Sequence, residues 1–121
     1  MIYEIREYVP NPGKAESLLA RLVQAQRFFE RHGMEVVVVL EPTDMRDHPT
    51  YVLRFQDGEA RRLAWQRFSS DSEWRSLKAA SEVNGVLLKE VKSRCFDDIS
   101  MRVLSGTRYA FASAGTGASA G

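Results

Sequence analysis

The chain has 121 residues, 44% hydrophobic and 27% charged, with 17 basic against 16 acidic side chains and one cysteine. Folding a chain of this length buries roughly two thirds of its surface, enough for one core and too little for two. The near-zero net charge gives no drive toward nucleic acid or an acidic membrane, and the lone Cys95 excludes an intramolecular disulfide and leaves a structural zinc site short of ligands.

No apolar run approaches the roughly 18 residues that cross a bilayer, and Met1 to Arg6 lacks the pattern of a signal or transit peptide. A reduced thiol suits the cytoplasm. The expectation is a soluble cytoplasmic protein with no nucleic-acid or membrane partner.

From Ile2 to Val9 apolar and polar residues alternate with a period of two, which predicts a strand ended by Asn11-Pro12-Gly13. Leu18, Leu22, Ala25 and Phe29 then recur at helical spacing, predicting a helix from Lys14 to Arg31 that His32-Gly33 closes. Met34 to Leu40 holds Val36 to Val39 in succession, a strand apolar on both faces. The proline-bounded stretch from Glu41 to Pro49 reads as a loop, and Thr50 to Phe55 as a third strand. Asp57 can cap a helix running to about Ser69. Ser70 with Glu73 has capping-box spacing and opens a further helical stretch through Trp74 and Leu77, which Asn84-Gly85 ends. Val86 to Phe96 alternates again and is the fourth strand.

The order βαββαβ, with its second helical segment broken in two, is that of a ferredoxin-like α+β fold. Its helices cover one face of a four-stranded antiparallel sheet. The valine-rich strand requires cover on the other face as well, which a homodimer paired through its sheets would provide. The domain is expected over residues 1–99, followed by a tail over 100–121. Met101 to Phe111 still holds apolar residues, whereas the last ten, only Ala, Ser, Gly and Thr, are expected to be disordered.

Met1-Ile2-Tyr3-Glu4-Ile5-Arg6-Glu7-Tyr8 with Pro12-Gly13-Lys14, then Arg31-His32-Gly33 before the second strand and Asp71-Ser72-Glu73-Trp74 after the second helix, resemble the NIPSNAP family in register over about residues 1–98. The resemblance implies a dimeric α+β barrel of two ferredoxin-like subunits. The wider group with that architecture includes cofactor-free monooxygenases of antibiotic biosynthesis and commonly keeps a small-molecule pocket between sheet and helices. Vertebrate members are mitochondrial and linked to vesicle transport, but this chain has one copy of the domain and an unrelated tail, so trafficking does not carry over.

Among the residues themselves, Glu4 and Arg6 share a face of the central first strand, where charges are rarely left unpaired. Arg54 on the third strand and Glu90 or Arg94 on the fourth are candidates to lie across from them. The group is either an ion network fixing register or a clamp in which Arg6 or Arg54 orients an acidic substrate and Glu4 is the base. An excess of arginine over carboxylate favours the clamp. His32 either interacts with the first helix's negative end or, if a pocket opens there, serves as general base. His48 is expected to be solvated in its loop. Trp65, Trp74, Phe68, Tyr51 and Phe55 form either plain core or an aromatic wall around an aromatic or polyketide-like ligand.

Catalytic candidates are thus Glu4, Arg6, His32 and Arg54, with Tyr3, Tyr51, Trp65, Phe68, Trp74, Glu90 and Arg94 around a substrate. Arg61, Arg62, Arg67 and Arg75, interleaved with acids, read as a solvated helix face, and Cys95 as a buried, inert thiol. No nucleotide loop, metal spacing or nucleophile elbow is present, so neither cofactor nor metal is expected. Two functions are compatible with these residues: a cofactor-independent enzyme of bacterial secondary or catabolic metabolism acting on a small hydrophobic carbonyl or carboxylate compound, by acid–base or monooxygenase-like chemistry, or a non-catalytic dimeric binding module. A cavity of roughly 300 Å³ or more between sheet and helices favours the enzyme.

Overall fold

In the computed structural model, which describes residues 1–44 and 48–98, the alternating N-terminal segment forms strand β1 (Ile2–Pro10). Helix α1 (Ala15–Arg31) follows, then β2 (Glu35–Leu40), β3 (Thr50–Phe55), α2 (Gly58–Ser70), α3 (Ser72–Ser81) and β4 (Leu88–Asp97). The expected tail from residue 100, its segment 101–111 and its disordered last ten residues lie outside the described residues. The strands are ordered β2-β3-β1-β4 and every neighbouring pair is antiparallel. This is the ferredoxin-like arrangement, with β1 central. No helix among the described residues is long and apolar enough to cross a membrane.

The register decides which side chains meet. Ile2 lies opposite Phe55 and Arg6 opposite Tyr51 on β3, while on β4 Glu4 faces Cys95 and Arg6 faces Ser93. Even-numbered residues of β1 therefore share a face with odd-numbered residues of both neighbours. That face carries the helices. Its core joins Leu18, Leu22, Ala25, Phe28 and Phe29 of α1, Ala64 and Phe68 of α2, and Tyr8, Tyr51, Leu53 and Phe55 of the strands. Val36 and Val39 also pack on this core. A bulge between Val36 and Val38 shifts the register of β2, and Val37 and Val38 stay exposed.

Three local expectations change. The cap of α3 is Asp71 rather than Ser70: its carboxylate accepts from the backbone N–H groups of Glu73 and Trp74, at 2.9 and 3.1 Å. Strand β4 starts at Leu88 rather than Val86. Asn11 takes the preceding carbonyls, its side-chain amide donating to Val86 O at 2.9 Å and its backbone N–H to Leu87 O at 2.8 Å. Cys95 is exposed rather than buried, because β4 is an edge strand and the helical layer packs against β2 and β3 instead. Gly33 closes α1 at φ +83°, a left-handed conformation that costs glycine nothing.

Candidate functional site

The site grows from three alternate residues of β1. Glu4 is completely buried, yet its carboxylate accepts five hydrogen bonds. Arg61 donates two, from Nε and Nη2 at 2.9 and 3.0 Å, and Trp65 Nε1 donates one at 2.8 Å. Ser93 Oγ and Arg6 Nη1 supply the others at 2.5 and 3.0 Å. Arg61, Trp65 and Phe68 stand one and two turns apart on α2 and so present one face to the sheet. Burial pushes the Glu4 carboxyl up, but the bonds from Arg61, Ser93, Trp65 and Arg6 outweigh it and hold it at about 2. A carboxylate so saturated and so weakly basic is not the expected general base. It positions Arg6, Arg61 and Trp65.

Arg6 leaves this hub across the face of Trp65, 4.1 Å from the ring centroid, and its Nε donates to Tyr8 Oη at 2.8 Å. Burial raises the Tyr8 phenol, so it keeps its proton at neutral pH. From α1, Arg21 enters the same region. It is buried, its Nη1 donates to Glu82 at 3.0 Å and Ser81 at 3.1 Å, and its guanidinium lies 6.0 Å from the Trp74 ring centroid.

Between these groups lies a cavity of about 280 Å³, walled by Arg6 and Tyr8 of β1, Arg21, Leu22, Ala25 and Phe29 of α1, Trp65, Phe68 and Ser69 of α2, Trp74 and Lys78 of α3, and Leu88 and Val91 at β4. Its rings form a continuous chain, Phe29 to Trp65 at 5.6 Å, Trp65 to Phe68 at 5.4 Å and Phe68 to Trp74 at 4.8 Å between centroids. The volume falls just short of the roughly 300 Å³ where drug-sized pockets begin, yet well exceeds the roughly 150 Å³ that holds benzene. One ring with small substituents fits within it. Around the cavity the cations Arg6, Arg61, Arg21 and Lys78 face the carboxylates Glu4 and Glu82, four against two, an excess of two positive charges.

Of the expected catalytic residues only Arg6 lines this cavity, and of the expected substrate contacts only Trp65, Phe68 and Trp74. Arg54, Glu90 and Arg94 lie on the opposite face, because their even numbers pair with odd residues of β1: Tyr3, Val9 and Ile5. There Arg54 is paired with Glu35 and donates to Tyr3 Oη at 3.4 Å, so Tyr3 too is outside the cavity. His32 Nε2 contacts Asp71 Oδ2 at 2.7 Å, and Arg31 joins them at 2.9 Å. This cluster ties the end of α1 to the cap of α3, away from the cavity.

Tyr51 is core, in edge contact with Tyr8 and Phe29, its hydroxyl donating to Leu22 O. His48 contacts Glu7 at 2.5 Å instead of standing solvated. Arg61 is no solvated residue but the bidentate partner of Glu4, whereas Arg62 pairs with Glu59 at the surface as expected. Tyr8, Phe29, Arg21 and Lys78 line the cavity without having been among the expected site residues. Arg21 carried a signal, since it stands at the i+3 position within the apolar stripe Leu18, Leu22, Ala25.

Together these features define an α+β protein of ferredoxin-like topology with a ligand-sized cavity between its sheet and its helices. The fold is that of the NIPSNAP-domain proteins. It is similar to a NIPSNAP domain protein from Burkholderia xenovorans, with a TM-score of 0.67 and 16% identity over 83% of this chain and 96% of the other. A NIPSNAP family protein of unknown function from Agrobacterium tumefaciens is similar at a TM-score of 0.66 and 18% identity, over 81% of this chain and 87% of that one. An antibiotic biosynthesis monooxygenase is more distant, at a TM-score of 0.53 and 13% identity over 81% of this chain and 98% of its own. No family model matches the sequence, and no curated protein matches it.

Proposed function

We propose that the protein is a NIPSNAP-type protein of bacterial secondary or catabolic metabolism that binds a compact hydrophobic molecule carrying a carboxylate or an enolisable carbonyl, and transforms it with its own side chains. The observation that carries this reading is the composition of the cavity. Its walls are aromatic, its charged lining residues are the cations Arg6, Arg21 and Lys78, and no carboxylate lines it. Such a lining favours an anion or an oxygen that gains negative charge during reaction. Arg6 and the protonated Tyr8 would hold that oxygen while solvent hydroxide takes the α-proton, since no carboxylate or imidazole lines the cavity, and one preorganised donor of this kind is worth roughly a hundredfold or more in rate. The likeness to an antibiotic biosynthesis monooxygenase supports small-molecule chemistry on this fold.

A second reading, binding without turnover, is favoured by the absence of any carboxylate or imidazole among the lining residues. One experiment separates the two. Benzoate is titrated calorimetrically, and phenylpyruvate is incubated with the protein in deuterium oxide while loss of its α-protons is followed by NMR. Benzoate binding with accelerated exchange is the expected result. Binding without acceleration selects the second reading, and no binding of either compound contradicts both.

We also propose that a second copy covers the outer face of the sheet. The exposed Val38, Leu40 and Phe96 on that face support it. Sedimentation at micromolar concentration should give a dimer, and a stable monomer would refute it.

A further inference from the structure

Arg21 presents a feature that neither packing nor the hub at Glu4 explains. Its side chain is 96% buried (4% exposed), and both of its hydrogen bonds, to Ser81 and Glu82, leave from Nη1. Its Nε is buried and has no hydrogen-bond partner among the described residues. A buried donor left unpaired costs free energy, and a guanidinium edge without an acceptor is suited to a carboxylate. Arg21 lines the cavity beside Lys78 and Trp74, and it also lines the groove between α1 and α3 with Ser17, Gln24 and Leu77. It is therefore the wall between the cavity and the outside. The other polar pair of the cavity, Arg6 and Tyr8, stands on β1, on a different element.

We propose that Arg21 is the carboxylate anchor of the cavity, and hence that the ligand is a single-ring acid bearing a second oxygen, hydroxyl or carbonyl, for Arg6 and Tyr8. The ring lies against Trp65, Phe68 and Trp74. This deepens the reading given above and rests on it. Glu82 holds the guanidinium in place through Nη1 and leaves the Nε edge for the ligand. Lys78 adds charge without the planar fork, so it attracts an acid but does not orient it.

The test compares 4-hydroxybenzoate with 4-hydroxybenzamide, equal in shape and different in charge. The wild-type protein should bind the acid about tenfold or more tightly than the amide, the scale of one charge-assisted hydrogen bond. Arg21→Gln should erase most of that preference by weakening the acid more than the amide, and Lys78→Gln should retain most of it. In the wild-type protein the Nε–H proton resonance of Arg21 should move downfield with the acid and stay in place with the amide, a readout that needs no variant to fold. If neither probe binds, the ligand reading itself fails and this inference with it. If both bind equally, or if the preference survives Arg21→Gln or follows Lys78, or if the Nε–H resonance does not respond to the acid, the anchor alone is overturned.

Discussion

Replacing Glu4 by glutamine is expected to lower stability by about 3 kcal/mol, the lower end of the cost of breaking a buried ion pair. The amide cannot accept all five hydrogen bonds, and it strands Arg6 and Arg61, which are respectively 18% and 34% exposed and so recover part of their hydration. The same magnitude follows from titration. The Glu4 carboxyl is held at about 2 against an ordinary 4.5, and a shift of that size is worth roughly 3 kcal/mol. Because the folded value is the depressed one, this stabilisation is complete above pH 4.5 and is lost as the pH falls from 4.5 toward 2. Urea denaturation of wild type and variant across that range should show a gap of about 3 kcal/mol at neutral pH that closes in acid. A variant as stable as wild type at pH 7 would mean that the hub is not a staple.

Phe29→Ala should cost about 3 to 5 kcal/mol, the range for deleting a buried aromatic ring from a core that cannot collapse around the space. Phe29 is 1% exposed and makes ring contacts with Tyr51 at 5.1 Å, Trp65 at 5.6 Å and Phe68 at 4.9 Å. Since it also lines the cavity, the truncation should enlarge the space and shift its preference toward bulkier rings. Denaturation gives the first effect, and titration with naphthoate beside benzoate gives the second. A cost below about 1 kcal/mol would contradict the central packing role assigned to this ring.

The two variants separate what holds the site together from what shapes it, and they mark where sequence reading reached. Alternation along β1 placed Glu4 and Arg6 on one face, and helical spacing recovered α1 with its buried stripe. These signals are local and need only the periods of strand and helix. The partners of Glu4 were not legible in the same way. Whether Arg54 or Tyr51 lies beside Arg6 depends on a register set by loops, and a one-residue change in register exchanges the two faces. The register excludes Arg54, Glu90 and Arg94 from the cavity through parity alone.

Arg61 was lost for another reason. Among exposed acids and bases on α2, only the rotational setting of the helix distinguishes the arginine that turns inward to Glu4 from Arg62, which faces Glu59. Arg21, by contrast, interrupted an apolar stripe in plain view. A charge at such a position signals a buried partner or a ligand, and here Glu82 accounts for one side of the guanidinium only. His32 shows the converse: a titratable side chain at the end of a helix drew attention as a base and proves to fasten that helix to the cap of α3.

If the cavity between sheet and helices is the functional site, the chain carries its own reporter there. Both of its tryptophans, Trp65 and Trp74, line that cavity. Titrating benzoate into the single-tryptophan variants Trp65→Phe and Trp74→Phe should change the emission of the remaining indole in each, with one saturable curve and the same dissociation constant within a few-fold. Calorimetric binding of benzoate with no change in either emission would place the ligand elsewhere and contradict the account.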